Sequence, residues 1–352
     1  MVKVFVSICY FIVGIFRVIN RAKSKIAHPG INLMEAVDIG GIKQVLYFRG
    51  KNPQNPVILF IHGGPGSSEM PLLHGFQYDW EADYTIVHWD QRNTGKTFYL
   101  NDPAAVMKTM TFDRVLKDAH EVTKYIKNKL NKEKIIVLGH SWGSVLGSAL
   151  VQTYPDDFSA YLGVGQVVNF IDNERVGYNA VLEAARKAGN KKDIADLESM
   201  SPEWPLKTYN QRFFELIKKV RGYQFKYKLA TGLKLDLVFT ALSSPISKLK
   251  DVLFYFNIKV VLYQESLMHY LVDEYDIHKF GTEYKIPVFY LMGEDDFQTP
   301  YPLAKDFFNE ISSPNKIFFS IPKAGHMTMM DNREEFTRVL IKEILPIVRK
   351  AS

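Results

Sequence analysis

The chain is short of several features that would point to particular functions. Its only cysteine in 352 residues is Cys9, which excludes a disulfide framework and a cysteine-based metal site. No internal repeat or low-complexity tract is visible, so the sequence is not that of a repeat protein. Acidic residues are missing before Glu35, and that absence explains the net charge. Five of the basic residues precede Glu35, so of the formal +6 only +6 − 5 = +1 belongs to the rest of the chain. This nearly neutral body gives no indication of nucleic-acid binding.

The N-terminal segment also lacks the length expected of a membrane-spanning helix. Residues 4–19 are almost wholly apolar, but at about 1.5 Å per residue they fall short of, or barely reach, a hydrocarbon core of about 30 Å. Residues 1–26 are therefore predicted to be an uncleaved anchor or an interfacial helix that associates the protein with a membrane. If this segment spans the membrane, the Lys and Arg residues after it would place the body on the cytoplasmic face. The alternative is a signal peptide, with a secreted or periplasmic protein.

Short apolar runs recur along the rest of the chain with helical stretches between them. This alternation predicts an α/β fold with a mostly parallel, doubly wound sheet, preceded by a hairpin at Gly40-Gly41. A helix is expected at 111–130, with Thr111 as its N-cap, and a closing helix near 333–348. The predicted strands are 35–39, 42–49, 57–61, 85–89, 135–138, 161–164, 287–292 and 316–321.

The alternation breaks after residue 164, where amphipathic helical stretches replace the strands. We expect residues 167–285 to form a helical lid, inserted into a core made of residues 31–166 and 286–352. Ligands of such sheets bind at the carboxyl ends of the strands. The lid would then lie over the binding site.

The most informative motif is Gly139-His140-Ser141-Trp142-Gly143, between an apolar run and a helical stretch. Gly-x-Ser-x-Gly in this strand–turn–helix context is typical of a nucleophile elbow, where a strained turn exposes the serine hydroxyl. Ser141 is the predicted nucleophile. A serine needs a base and a group that orients the base. His326, just past the last predicted strand, is the expected base, and Asp295 or Asp296, after the penultimate strand, is the expected acid.

The same chemistry needs donors for the oxyanion. One should be the backbone N–H of Trp142, directly after the nucleophile. The other should come from the glycine-rich loop after the strand that ends at His62, with Gly64 preferred over Gly63. His62, His88 and His140 all lie near strand ends, but no carboxylate or histidine spacing matches a metal site, so no metal site is expected.

Taken together, these motifs resemble those of the proline iminopeptidase-like α/β-hydrolases. The resemblance covers the core from about residue 37 onward, excluding the lid. It implies an α/β-hydrolase fold, a serine hydrolase without metal or cofactor, and a helical lid after the sixth strand. It also favours Asp296 over Asp295, and it implies removal of N-terminal residues from peptides. It rests on His62-Gly63-Gly64-Pro65-Gly66, Asp90-Gln91-Arg92, the elbow, Gly165-Gln166, Gly293-x-x-Asp296-x-x-x-Pro300 and Gly325-His326.

The chain departs from this family in two informative places. Asn93 stands where the family has glycine, and asparagine tolerates the left-handed conformation expected there. The Trp-x-x-Trp-Glu pattern of the family's lid is not found. In the peptidases, lid carboxylates receive the free amine of the substrate, which would otherwise be a buried unpaired cation. The possible substitutes are Glu174, Glu203 and Glu265, each of which is otherwise a solvated helix carboxylate.

The sequence thus predicts a membrane-associated serine hydrolase acting on a small-molecule or short-peptide substrate. The leading hypothesis is an aminopeptidase of the proline iminopeptidase type. A carboxylesterase or amidase without amine recognition is the alternative within enzymes, and a non-catalytic binding protein with a hydrolase fold is a minor one. The sequence gives no prediction of the oligomeric state.

Overall fold

An eight-stranded sheet forms the centre of the molecule. The computed structural model describes residues 2–201, 204–229, 235–254 and 262–350. The strands lie in the order β1-β2-β4-β3-β5-β6-β7-β8; β2 is antiparallel to both its neighbours, and the remaining pairs are parallel. The predicted mostly parallel, doubly wound sheet is therefore confirmed. The strands are β1 Ile31–Ile39, β2 Ile42–Gly50, β3 Val57–Ile61, β4 Thr85–Asp90, β5 Ile135–His140, β6 Phe158–Val164, β7 Val288–Gly293 and β8 Lys316–Ile321.

The central strands are apolar throughout because both of their faces are buried. In β5, Ile135 and Val137 pack into the core on one side of the sheet, and Ile136 and Leu138 pack into the core on the other. All four side chains are at most 1% exposed. Strands that are covered on both faces have continuous apolar sequences, so they are easily predicted from the sequence.

The helices cover both faces of this sheet. The helix predicted at 111–130 spans Phe112–Leu130, and the Thr111 hydroxyl caps it by accepting from the Arg114 N–H at 3.2 Å. The helices are α1 Val2–Lys23, α2 Gly95–Phe98, α3 Pro103–Met107, α4 Phe112–Leu130, α5 Trp142–Thr153, α6 Phe170–Lys187, α7 Lys191–Met200, α8 Gln211–Lys226, α9 Leu235–Ser243, α10 Leu249–Leu253, α11 Glu265–His269, α12 Tyr301–Glu310, α13 Thr328–Asp331, α14 Arg333–Arg338 and α15 Leu345–Lys350. Short 3₁₀ helices span Met70–Gly75, Trp80–Ala82, Pro155–Asp157 and Ile277–Phe280, and π-helical turns span Tyr270–Glu274 and Val339–Ile344.

In the described part of the chain, six α-helices, α6 to α11, lie between β6 and β7. The first three of them share an apolar cluster of their own, separate from the two cores that flank the sheet; its members include Tyr178, Val181, Leu197 and Val220. A segment with its own small core can lie over the carboxyl ends of the strands without interrupting the sheet. The exact limits of the lid, 167–285, stay a prediction.

The N-terminal helix α1 packs against α9 of the lid segment. Arg17 Nη2 donates to the Leu242 carbonyl at 2.6 Å, and Asn20 Nδ2 donates to the Ser243 carbonyl at 3.1 Å. The rings of Phe16 and Phe239 meet edge to face at 5.2 Å. In the described part of the chain, α1 included, no helix combines the length and the apolarity needed to cross a membrane.

Candidate active site

The turn between β5 and α5 places Ser141 in a strained backbone conformation. Its φ of 53° and ψ of −121° lie outside the regions that side chains with a Cβ ordinarily adopt. A Cβ on Gly139, near the end of β5, would lie 2.3 Å from the Gly143 carbonyl oxygen in α5, and a Cβ on Gly143 would lie 2.0 Å from the Ile61 carbonyl oxygen at the end of the neighbouring β3. Only glycine can occupy these two positions. The local geometry is therefore that of a nucleophile elbow.

The three residues predicted as nucleophile, base and acid lie in one hydrogen-bonded chain. His326 Nε2 lies 2.9 Å from Ser141 Oγ, and His326 Nδ1 lies 2.9 Å from Asp296 Oδ2. Asp296 is 2% exposed and His326 is 9% exposed. One side of the imidazole thus faces the serine while the other faces a buried carboxylate, the arrangement required for proton transfer from a serine hydroxyl.

Hydrogen bonds keep the buried Asp296 carboxylate charged. Oδ1 accepts from the N–H groups of Gln298 and Thr299, both at 2.9 Å, and Oδ2 accepts from the Thr299 hydroxyl at 2.6 Å. Burial favours the neutral acid, but His326 and these donors outweigh it and hold the pKa of Asp296 below its ordinary value. The neighbouring Asp295 is exposed.

The two predicted oxyanion donors line the cavity in front of Ser141. Trp142 is the first residue of α5, so its N–H has no intrahelical partner. Its indole Nε1 donates to Gln91 Oε1 at 3.2 Å, which fixes the side chain. The Gly63 N–H is engaged by Glu69 Oε1 at 3.2 Å. Gly64, at φ 116°, adopts a conformation open only to glycine, and it lines the cavity, whereas Gly63 does not.

A second buried histidine and a carboxylate lie behind this site, and sequence reasoning missed the pair. His140 Nδ1 lies 2.8 Å from Glu69 Oε1, and its Nε2 lies 2.9 Å from the His326 carbonyl oxygen. Burial lowers the pKa of His140, but the hydrogen bond and the charge of Glu69 outweigh it and raise the pKa. Because the same Glu69 oxygen holds the Gly63 N–H, the pair connects the oxyanion loop to the loop of His326.

The cavity at the nucleophile has a volume of about 210 Å³. Ser141, Trp142, Gly64 and His326 form its floor, and residues of the lid segment cover it. The apolar part of the cover comes from Val167, Phe170, Ile217, Met268 and Leu271, and the polar part of the wall from Asn173, Arg221, Gln298 and Thr299. A larger cavity of about 500 Å³ lies near Val57 and Ser159, at the starts of β3 and β6, on the opposite edge of the sheet from Ser141.

The three predicted lid carboxylates lie in different environments. Glu174 is fully buried on α6, but its Oε1 forms an ion pair with Nη2 of Arg221, which itself lines the cavity. Burial raises the pKa of Glu174, against the opposing charge of Arg221. Glu265 is exposed on α11 and does not line the cavity. Glu203 lies outside the described residues. Within the described chain, no three His, Cys, Asp or Glu side chains are grouped so that they could hold a metal ion.

Comparison with known proteins identifies the family to which this geometry belongs. Residues 56–333 match the family model described as alpha/beta hydrolase fold. The chain belongs to the alpha/beta hydrolase fold family. The match covers the elbow, the acid and base positions and the lid segment, and supports a hydrolytic enzyme.

Individual relatives carry peptidase names. The probable aminopeptidase YbaC of Bacillus subtilis is 27% identical over 316 residues, 88% of this chain and 95% of that protein. A probable proline iminopeptidase of Leptolyngbya boryana is 30% identical over 118 residues, only 34% of each chain. A proline iminopeptidase-related protein of Thermus thermophilus has a crystal structure with a TM-score of 0.54 and 20% identity, covering 92% of this chain and 100% of that one. The predicted resemblance to this family and its fold is confirmed.

Proposed function

We propose that the protein is a serine hydrolase that cleaves small acyl substrates through a Ser141–His326–Asp296 triad. The observation that carries the proposal is the continuous hydrogen-bonded chain from Ser141 Oγ through the imidazole to Asp296, which starts at a strained elbow. The family match supports hydrolysis. The remaining roles follow from the positions of the groups around Ser141.

In the proposed reaction, Ser141 Oγ attacks the substrate carbonyl carbon while His326 Nε2 takes the hydroxyl proton. The Asp296 carboxylate holds the imidazole in the required tautomer and stabilises the imidazolium. The backbone N–H groups of Gly64 and Trp142 bind the oxyanion of the tetrahedral intermediate. His326 then gives the proton to the leaving amine or alcohol. Water then attacks the acyl-enzyme while His326 takes its proton, and the imidazolium returns that proton to Ser141 Oγ as the bond to the acyl group breaks and the acid leaves.

On the acyl side, the geometry best supports a substrate without a free amine, that is, an amidase, peptidase or esterase acting on a neutral acyl group. The only predicted lid carboxylate beside the cavity within the described residues is Glu174, and its charge is already balanced by Arg221. An ammonium entering this cavity would meet a neutral ion pair rather than a free anion.

An aminopeptidase of the proline iminopeptidase type is the second candidate. The names of the relatives support it. So does Glu174 Oε2, which is buried and has no hydrogen-bond partner among the described residues. A substrate amine could use that oxygen as an acceptor.

The test is hydrolysis of four substrate types by wild type and by Ser141→Ala. These are proline β-naphthylamide, other aminoacyl amides, N-blocked proline amide and short p-nitrophenyl esters. Turnover lost in the variant, with covalent labelling of wild type by a fluorophosphonate, supports the triad. Hydrolysis confined to free-amine amides selects the aminopeptidase, whereas turnover of blocked amides or esters selects the neutral-acyl hydrolase. Retention of activity in Ser141→Ala would falsify the mechanism.

We also propose that α1 lies at a membrane surface on the cytoplasmic side. The exposed apolar residues Ile12, Ile15 and Val18 and the exposed basic residues Arg21 and Lys23 support an interfacial helix. Co-sedimentation with phosphatidylserine vesicles, but not with phosphatidylcholine vesicles, is the expected result. Absence of binding to both would refute the proposal.

A further inference from the structure

Asn173 is a buried amide side chain in the first turns of α6 whose hydrogen-bonding groups are unused. It is 2% exposed, and it lines the cavity that contains Ser141 and His326. Neither Oδ1 nor Nδ2 has a hydrogen-bond partner among the described residues. Buried side-chain polar atoms nearly always have a partner, so an amide with both ends free inside a catalytic cavity points to a ligand.

The wall beside Asn173 carries no net charge. Arg221 Nη2 is paired with Glu174, and Nη1 donates to Gln224 Oε1 at 2.9 Å. Gln224 is fully buried and donates in turn to the Phe297 carbonyl at 3.2 Å, so the guanidinium is held in place from behind. A charged substrate group would be desolvated here without a free counter-charge. The polar wall therefore suits a neutral group.

We propose that Asn173 binds a secondary amide on the acyl side of the substrate, so that N-acylated aminoacyl compounds are the preferred substrate class. The inference rests on the proposed serine hydrolase function and deepens it. An asparagine side chain presents one acceptor and a pair of donors, which match the N–H and the C=O of a secondary amide. A free ammonium offers only donors and would leave Nδ2 without an acceptor.

The remaining wall fits the apolar part of such a substrate. Phe170, Ile217 and Leu271 surround the cavity beyond Asn173 and can contact the acyl cap and a small side chain. With a volume of about 210 Å³, the cavity takes a short acyl group rather than a long chain. Asn173 is thus the polar contact that fixes the orientation of an otherwise apolar group.

The experiment compares the p-nitrophenyl esters of N-acetylglycine, pentanoic acid and glycine. The first two acyl chains have the same length and differ in the amide alone, and the third carries the free amine. Each kcat/KM is divided by the rate of the same ester with hydroxide, which removes differences in intrinsic reactivity. For wild type we expect the N-acetylglycine ester to exceed the pentanoate ester by about tenfold to a hundredfold, the range for a satisfied buried hydrogen-bond pair.

The variant Asn173→Leu, which has a similar shape and no polar atoms, should bring that ratio close to one. Asn179→Leu makes the same change at an exposed position of the same helix and should keep the wild-type ratio. Asn173→Asp removes the donor with little change of shape and should also lose the preference. It serves as the second variant if Asn173→Leu fails to fold by circular dichroism.

The outcomes separate the inference from the function on which it rests. A wild-type ratio near one, or a ratio that both Asn173 variants leave intact, overturns the role of Asn173 while the hydrolase stands. Preference for the glycine ester overturns it in favour of amine recognition. If no ester is turned over and Ser141 is not labelled by a fluorophosphonate, the proposed function fails and the inference fails with it.

Discussion

Replacing Glu69 by glutamine tests whether the Glu69–His140 pair supports the active-site loops. The substitution keeps the shape and an acceptor for His140 Nδ1 and the Gly63 N–H, but it removes the charge that balances the imidazolium. A hydrogen bond to a charged group contributes about 1.5–3 kcal/mol. The unfolding entropy scales to about 0.7 kcal/mol/K for a chain of 352 residues. The expected decrease in Tm is therefore about 2–4 °C.

The expected decrease in Tm depends on pH. The pKa of His140 is raised in the folded protein, so the pair contributes stability fully below the unfolded-state pKa of about 6.5. That contribution is lost as the pH rises through the higher folded-state pKa. The difference in Tm between wild type and Glu69→Gln should accordingly be larger near pH 5.5 than near pH 9.

The assay is thermal unfolding followed by circular dichroism at both pH values. Asp38→Asn is the matched control, because it removes the carboxylate of an ion pair with Lys43 whose side chains are 73% and 51% exposed. Its Tm should change by less than about 1 °C. Equal Tm values for wild type and Glu69→Gln near pH 5.5, or a decrease of the same size at both pH values, would refute the reasoning.

Three further variants probe other parts of the site. Gly143→Ala should destabilise by about 3 kcal/mol or more in urea unfolding, because its Cβ meets a backbone carbonyl at 2.0 Å, whereas Gly222→Ala, with nothing within 4 Å, should be neutral or stabilising. Asp296→Asn should lower kcat by on the order of 10³–10⁴-fold with the fold intact, and the exposed Asp295→Asn should change it by less than about threefold; similar values for both would remove Asp296 from the triad. Arg221→Met should cost about 3 kcal/mol in urea unfolding by leaving the buried carboxylate of α6 unpaired, and an unchanged midpoint would contradict that pairing.

The sheet and the elbow could be predicted from the sequence because their signals are local. The β5 run, the motif around Ser141 and the Thr111 cap each occupy a few consecutive residues. Asn93 adopts φ 50°, the left-handed conformation expected where the family has glycine. The order of serine, acid and base along the chain followed from the fold, and the structure brings Ser141, Asp296 and His326 together.

The polar contacts around the site could not be predicted, because their partners are far apart in the chain. Glu69 and His140 are separated by 71 residues, and Glu174 and Arg221 by 47. Composition and periodicity identify Glu174 as a carboxylate on a helix, but they do not distinguish a solvated side chain from one that faces a substrate. Its neutralisation by Arg221 depends on how α6 packs against α8, which no short stretch of sequence specifies.

The contact between α1 and α9 attaches the N-terminal segment to the lid segment. Arg17 and Asn20 donate to carbonyls at the end of α9, and Phe16 packs against Phe239. The last carbonyls of a helix receive no hydrogen bond from its own N–H groups, so these side chains supply the missing donors. Helix α9 in turn packs on the Met70–Gly75 turn, which directly follows Glu69. The first helix therefore packs as part of the lid segment. Deleting it to obtain a shorter protein would expose the end of α9, and α9 contacts the turn that follows Glu69 beside the catalytic loops.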